Sequence, residues 1–91
     1  MNPVRPIYYY TYVLRSEKSS NFYTGTTSNL KRRLEQHNEG LVVSTKRMYP
    51  LQLVYFEACL NKDDAYRRER YLKSGMGKRY IRNHLKGGLT G

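Results

Sequence analysis

Ile7-Tyr8-Tyr9-Tyr10-Thr11-Tyr12-Val13-Leu14 and, after a short polar gap, Phe22-Tyr23-Thr24-Gly25-Thr26 are the two stretches that decide how this chain folds. The first is β-branched and aromatic throughout, so it reads as a central strand over Ile7–Leu14, buried on both faces. Arg15–Asn21 is charged and serine-rich, a loose hairpin connection, and Phe22–Thr26 is its partner strand. Side chains alternate along a strand, so Tyr8, Tyr10 and Tyr12 share one face of the first and Tyr23 and Gly25 one face of the second. Gly25 removes a side chain where the strand meets the next helix, which leaves backbone open to a ligand. The chain has 10 tyrosines and no tryptophan, and most of these tyrosines are expected simply to fill half-buried strand faces.

Beyond the hairpin, Ser28 is the expected N-cap of a helix that runs to about Asn38 and is closed by Gly40. Leu30 and Leu34 form its apolar stripe, and Arg33 and His37, also four apart, share a face at its border. Leu41–Tyr49 lacks a helical period and reads as a mobile basic loop that ends at Pro50, with a third strand over Leu51–Glu57. Asn61 and Asp64 form a capping pair for a helix to about Ser74. That helix places Glu69 between Ala65 and Leu72, on the side that should pack inward. Gly75-Met76-Gly77 is expected to break it. A last basic helix from about Lys78 packs through Ile81 and Leu85, and Gly87–Gly91 is read as a frayed tail. These elements describe an α+β, sandwich-like single domain over residues 1–91, with its core over about 7–86 and about three helices beside the sheet.

Bulk properties narrow the function. The 91 residues carry 17 Lys+Arg against 7 Asp+Glu, a formal charge of +10, which attracts polyanions, nucleic acid first. No stretch is long or apolar enough to span a bilayer, and the basic helices are not strongly hydrophobic on one side, so a membrane partner is not expected. Met1–Pro6 is followed by tyrosines rather than by the apolar segment of a signal peptide. The one cysteine, Cys59, has no internal partner, which fits a reducing cytoplasm.

Tyr10-Thr11-Tyr12, Tyr23-Thr24-Gly25, Leu30, Arg33, His37-Asn38 and Arg68-Glu69-x-x-Leu72-Lys73 together resemble the GIY-YIG nuclease domain, in particular its stand-alone single-domain bacterial members. The resemblance spans Tyr9 to Ile81. Each tyrosine motif is weak alone; the ordered set is specific, with Arg33 eight residues after Gly25 and Glu69 inside Arg-Glu-x-x-Leu-Lys. It implies a three-stranded antiparallel sheet flanked by helices, and one divalent metal ion, Mg²⁺ or Mn²⁺. By position it makes Tyr12 and Tyr23 the two catalytic tyrosines and Arg33 the site arginine. His37 takes the helix position often held by His or Tyr, and Glu69 is the metal-binding carboxylate. Tyr10-Thr11 and Thr24 depart from the name-giving motif, at strand positions whose side chains are not the reacting groups. Thr26 stands where the excision-repair nucleases of the family carry Lys, which argues against that variant, and Asn83 is a loose match for a C-terminal polar residue.

The chemistry suits these residue types. Hydrolysis of a phosphodiester needs an activated water, neutralisation of the transition-state charge and help for the leaving oxygen. An ion that keeps several waters needs only one carboxylate, here Glu69, although a helix glutamate more commonly pairs with neighbours such as Arg68 or Lys73. Arg33 can grip a phosphate in bidentate fashion, or be a solvated arginine like Arg32. A free tyrosine titrates near ~10, so Tyr12 as base requires a metal and an arginine to lower it. His37 needs no such shift and is its assistant or alternative; otherwise it is a capping or packing histidine. Tyr23 orients water or phosphate, or simply packs, and His84 has no catalytic context.

Lys46, Arg47, Arg67, Arg68, Arg70, Lys73, Lys78, Arg79 and Arg82 supply a phosphate track with no separate recognition helix. The expected activity is therefore a metal-dependent endonuclease with structure-selective or low sequence specificity. It would act on DNA more than RNA, in repair, recombination or turnover, with reliance on a partner for targeting as the alternative to selectivity of its own. A non-catalytic nucleic-acid-binding module on the same scaffold is the alternative, and the carboxylate at Glu69 weighs against it, because it would repel a phosphate unless a cation intervenes.

Overall fold

A computed structural model describes residues 6–89. In it β1 (Tyr9–Ser16) is the middle strand of an antiparallel sheet of order β2-β1-β3, between β2 (Phe22–Thr27) and β3 (Leu51–Cys59). The central, doubly buried strand is as expected: Thr11, Tyr12, Val13 and Leu14 are all buried. Its start is not, since Ile7 and Tyr8 precede the strand and Ile7 is 65% exposed. No strand among the described residues pairs with their backbone, and apolar side chains alone do not make them strand. Met1–Arg5, in the segment read for a signal peptide, lie outside the described residues.

The pleat sends alternate residues of β1 into two separate cores. Tyr12 and Leu14 pack with Leu51, Leu53, Tyr23 and Met48 beneath Leu30 and Leu34 of α1 (Leu30–Asn38). Val13 packs on the other face with Leu72 of α2 (Lys62–Lys73) and Ile81 of α3 (Gly75–His84). The architecture is thus α1 on one face of a three-stranded antiparallel sheet and α2 and α3 on the other. A fourth helical turn, α4 (Lys86–Leu89), replaces the frayed tail expected there, while Thr90 and Gly91 lie outside the described residues.

Three local readings are corrected. The N-cap of α1 is Asn29, not Ser28: the Asn29 side chain accepts from the Arg32 N–H at 3.1 Å. Residues 41–49 are turns rather than a free loop, because Val42 and Thr45 are buried and Ser16 Oγ donates to the Met48 carbonyl at 2.7 Å. The break between α2 and α3 is at Ser74. Its N–H caps the end of α2 at Tyr71, and its hydroxyl accepts from the Gly77 N–H at 3.2 Å to open α3. Gly77 is needed for close approach, since a Cβ there would strike the backbone of Tyr71 and Leu72.

Gly25 also differs from its reading. It pairs with Tyr12 across the sheet, and an added Cβ would lie 2.5 Å from the Tyr12 hydroxyl oxygen. The missing side chain makes room for a protein ring, not for a ligand. Gly25→Ala is therefore expected to lower unfolding free energy by about 1–3 kcal/mol through overpacking. Gly75→Ala, where an added Cβ meets nothing within 4 Å, is the near-neutral control in the same urea titration.

Candidate active site

Tyr12 projects from β1 under α1, in the gap left by Gly25, and its hydroxyl meets His37 Nε2 at 2.9 Å. Arg33, one helical turn before His37, donates from Nε to the same hydroxyl at 3.4 Å. Both reach it because positions four apart share a helix face, as the spacing predicts. Tyr23 completes the aromatic enclosure, its ring centroid 5.2 Å from that of His37 and 6.4 Å from that of Tyr12. Four of the five predicted site residues are thus one assembly on the α1 face.

The sequence reading missed the residue that completes it. Thr45 is fully buried in the 41–49 segment, and its Oγ1 lies 2.7 Å from His37 Nδ1 and 3.5 Å from the Val42 carbonyl. These partners fix one direction. The Thr45 hydroxyl donates to the carbonyl, so it accepts from His37 Nδ1–H, which leaves Nε2 to accept from the Tyr12 O–H. Arg33 Nε–H then fills a lone pair of the Tyr12 oxygen. The chain Arg33→Tyr12→His37→Thr45→Val42 leaves no member unsatisfied. No recognisable motif marks Thr45; only the approach of this segment to α1 brings it to His37.

Burial governs the protonation of this chain. It raises Tyr12 above the ordinary tyrosine value; the Arg33 hydrogen bond opposes this, and the Tyr23 and Glu69 charges add to it. The lowering that a catalytic tyrosine needs is therefore not provided by Arg33 alone. Burial, and secondarily the Arg33 charge, takes His37 down to about 4, rather than leaving it at an ordinary value. His37 is consequently a neutral acceptor at neutral pH. The Tyr12 hydroxyl keeps Arg33 still more firmly protonated.

Glu69 reaches the site from the opposite layer. It lies on the inward side of α2 with buried Ala65 and Leu72, at that side's rim, and its side chain is 17% exposed. Thr26 donates to its Oε1 at 2.7 Å and Lys73 to its Oε2 at 2.9 Å. Gly25 and Thr26 are neighbours on β2 facing opposite ways, so this strand separates the Tyr12 assembly from the carboxylate. Thr26, noted in the sequence only for not being Lys, is what ties Glu69 to the sheet. Among the described residues no group of three or more His, Cys, Asp or Glu side chains is arranged to hold a metal. A lone carboxylate fits an ion that keeps most of its waters, such as Mg²⁺ or Mn²⁺, better than zinc, and the Lys73 ammonium on Oε2 would have to give way to it.

The basic residues divide. Lys46, Arg47, Arg70, Lys78, Arg79 and Arg82 are exposed, the last with its guanidinium 5.8 Å from the Phe22 ring. Arg67 pairs with Asp64 at 2.7 Å, and Lys73 with Glu69. Arg68 pairs with Glu57 at 3.0 Å and lies over the Tyr71 and Tyr80 rings, so it braces α2 against β3. His84 stacks on Tyr80 and Asn83 is exposed on α3. No helix among the described residues is long and apolar enough to cross a membrane.

Two measurements follow from the buried chain. His37 titrates at about 4 when folded and near ~6.5 when unfolded, so between these values the unfolded state binds more protons. Its contribution is fully present above pH ~6.5 and is lost as pH falls through the folded value, by roughly 3 kcal/mol in all. Urea unfolding across this range should show that fall, and His37→Gln should flatten it. Thr45→Val strands the buried Nδ1–H and should cost about 1–3 kcal/mol at neutral pH, with Thr45→Ser restoring most of it.

Comparison with known proteins agrees with this geometry. The chain is 43% identical over 65 residues to a UPF0213 protein of Clostridium perfringens, covering 70% of this chain and 69% of the relative. It is 37% identical over 83 residues to a UPF0213 protein of Pediococcus pentosaceus, covering 90% and 86% respectively. The solution NMR structure of a UPF0213 protein from Bacillus halodurans superposes with a TM-score of 0.54 at 32% identity, covering 90% of this chain and 88% of that one. The GIY-YIG catalytic domain matches residues 8–84, the stretch that carries Tyr12, Tyr23, Arg33, His37 and Glu69, and the chain belongs to this family of nuclease domains.

Proposed function

We propose that this domain is a divalent-metal-dependent endonuclease that cleaves nucleic-acid phosphodiester bonds, DNA in preference to RNA, with structure-selective or low sequence specificity. The observation that carries the reading is the directed hydrogen-bond chain from Arg33 through Tyr12 and His37 to Thr45, with the Glu69 carboxylate held beyond β2. Burial alone requires both nitrogens of His37 to be satisfied; what supports the reading is that one partner is a tyrosine hydroxyl to which Arg33 also donates.

Arg33 binds a non-bridging oxygen of the scissile phosphate and stabilises charge as it develops there. Tyr12 takes the proton from the attacking water while its own proton passes to His37 Nε2, and Thr45 holds the imidazole by Nδ1–H. Tyr23 orients the water. A divalent ion on Glu69 would supply neutralisation of the phosphate and of the leaving oxygen. Thr26 aims the carboxylate, and Lys73 is free to turn to a phosphate once that charge is matched. The exposed cations Lys46, Arg47, Arg70, Lys78 and Arg79 then hold the substrate strand, without reading its bases. A binding module without catalysis is the second reading, favoured by one observation: both Glu69 oxygens already have partners.

Cleavage of labelled single-stranded, duplex, flapped and four-way DNA and of RNA, in Mg²⁺ or Mn²⁺, separates the two. Wild type should cut at least one substrate. Glu69→Gln should lose on the order of 10²-fold or more in rate and keep its binding. Tight, salt-sensitive binding with no product under either metal would favour the module.

A further inference from the structure

Beside the Tyr12 ring, on the same face of the sheet, lies an open groove of about 530 Å³ between α1 and the sheet. Tyr10 and Phe56 line it from the sheet side, and Leu30, Leu34, Lys31 and Asn29 from the helix side. Tyr10 shares its face of β1 with Tyr12, and Phe56 is the residue paired with Tyr12 across β3. The groove thus lies on the β3 side of Tyr12, while the Tyr12 hydroxyl points to Gly25 on the β2 side.

Its lining is unlike a phosphate track. The rings of Tyr10 and Phe56 stand 6.1 Å apart and tilted by 60°, with Leu30 and Leu34 opposite them. Phe56 is 50% exposed, although burying a phenylalanine stabilises a fold by about 1.5–3 kcal/mol. Positive charge is confined to the lip, where Lys31 borders the groove; Arg33, two residues on, projects from the other flank of α1 to Tyr12. A ligand that suits such a groove in so basic a chain has a flat apolar face and carries negative charge. A nucleotide has this form, and in a chain of +10 charge nucleic acid is the occupant that the electrostatics favour over an apolar protein.

The geometry points to this groove as the seat of one unpaired nucleobase of a bound strand, stacked on Phe56 with the tilted Tyr10 ring at its edge. The assignment rests on the proposed nuclease reading and deepens it by naming the substrate class. A base stacked and paired within duplex offers no free face, whereas single strands, flaps and junction arms do. Selection would then come from whether a base is free to enter, with no readout of its edges, which matches the absence of a recognition helix.

The test is binding without turnover: fluorescence anisotropy in EDTA with a labelled single-stranded oligonucleotide and a duplex of equal length. Phe56→Ala, checked for an unchanged circular dichroism spectrum, should weaken single-strand binding about tenfold and duplex binding less than twofold, with the salt slope unchanged. With the wild-type protein, scanning one abasic nucleotide along the strand should find a position whose loss matches that of Phe56→Ala, and this loss should vanish in the variant. Equal weakening on both substrates, no weakening, or no sensitive abasic position would overturn the assignment and leave the groove to a protein partner or a second copy. Because no cleavage is measured, failure here is separate from failure of the nuclease reading, which the Glu69→Gln comparison addresses.

Discussion

The hydrogen bond between the Tyr12 hydroxyl and His37 is the interaction on which the rest of this structure depends. Both side chains are buried, so each polar atom must find a partner inside the protein or weaken the fold. Satisfying them fixes several things at once. The ring of Tyr12 can occupy its position only because β2 offers a glycine opposite. The helix α1 must present its last turn to β1, and residues 41–49 must fold back so that Thr45 can receive Nδ1–H. Among the described residues no buried side-chain nitrogen or oxygen lacks a partner. A polar network placed in the middle of so small a core is tolerable only in that fully connected form.

The other face of the sheet is built more conventionally, and its task is to carry the carboxylate. Val13, Leu72 and Ile81 form an apolar core there, and Thr11 anchors α2 directly by donating to the Ala65 carbonyl at 2.9 Å. Thr11 and Thr26 are cross-strand partners. One therefore fixes the start of α2, and the other the carboxylate one turn further along. Arg68 with Glu57 ties the same helix to β3. Surface ion pairs add little to stability, but this one, half-buried and flanked by the Tyr71 and Tyr80 rings, sets the rotation of α2 about its axis. Rotation decides whether Glu69 faces β2 or solvent.

This division explains what could be read without coordinates. The strands were legible because β-branched and aromatic runs bounded by polar turns have few other solutions, and Arg33 and His37 were legible as a pair because helical spacing is a local property. Glu69 stood out as a carboxylate on an apolar helix face. Thr45 and Thr26 did not stand out, since threonine is common in turns and strands and their partners are far away in sequence or in a different layer. The caps show the same limit on a smaller scale. Ser28 and Asn29 are both good N-caps, and only the path of the chain after β2 selects Asn29. The glycines at 75 and 77 look like a helix break, yet the break is made by Ser74, and Gly77 serves the contact between α2 and α3. The direction of the tyrosine shift was also beyond the sequence, because it depends on how completely a ring is enclosed.

That last point bears on where the proton rests in the Tyr12–His37 pair. Burial moves Tyr12 and His37 in opposite directions, each toward its neutral form, so the proton rests firmly between them on the tyrosine oxygen. The Arg33 charge favours tyrosinate but disfavours imidazolium, so it does not promote transfer within the pair. Both effects come from one charge, so screening Arg33 weakens them together and leaves burial to decide. Burial is the larger cause for both groups, so the proton stays on Tyr12 as long as the enclosure is intact, and β2 contributes to that enclosure by setting Gly25 against the Tyr12 ring while its next residue, Thr26, holds Glu69 on the opposite face.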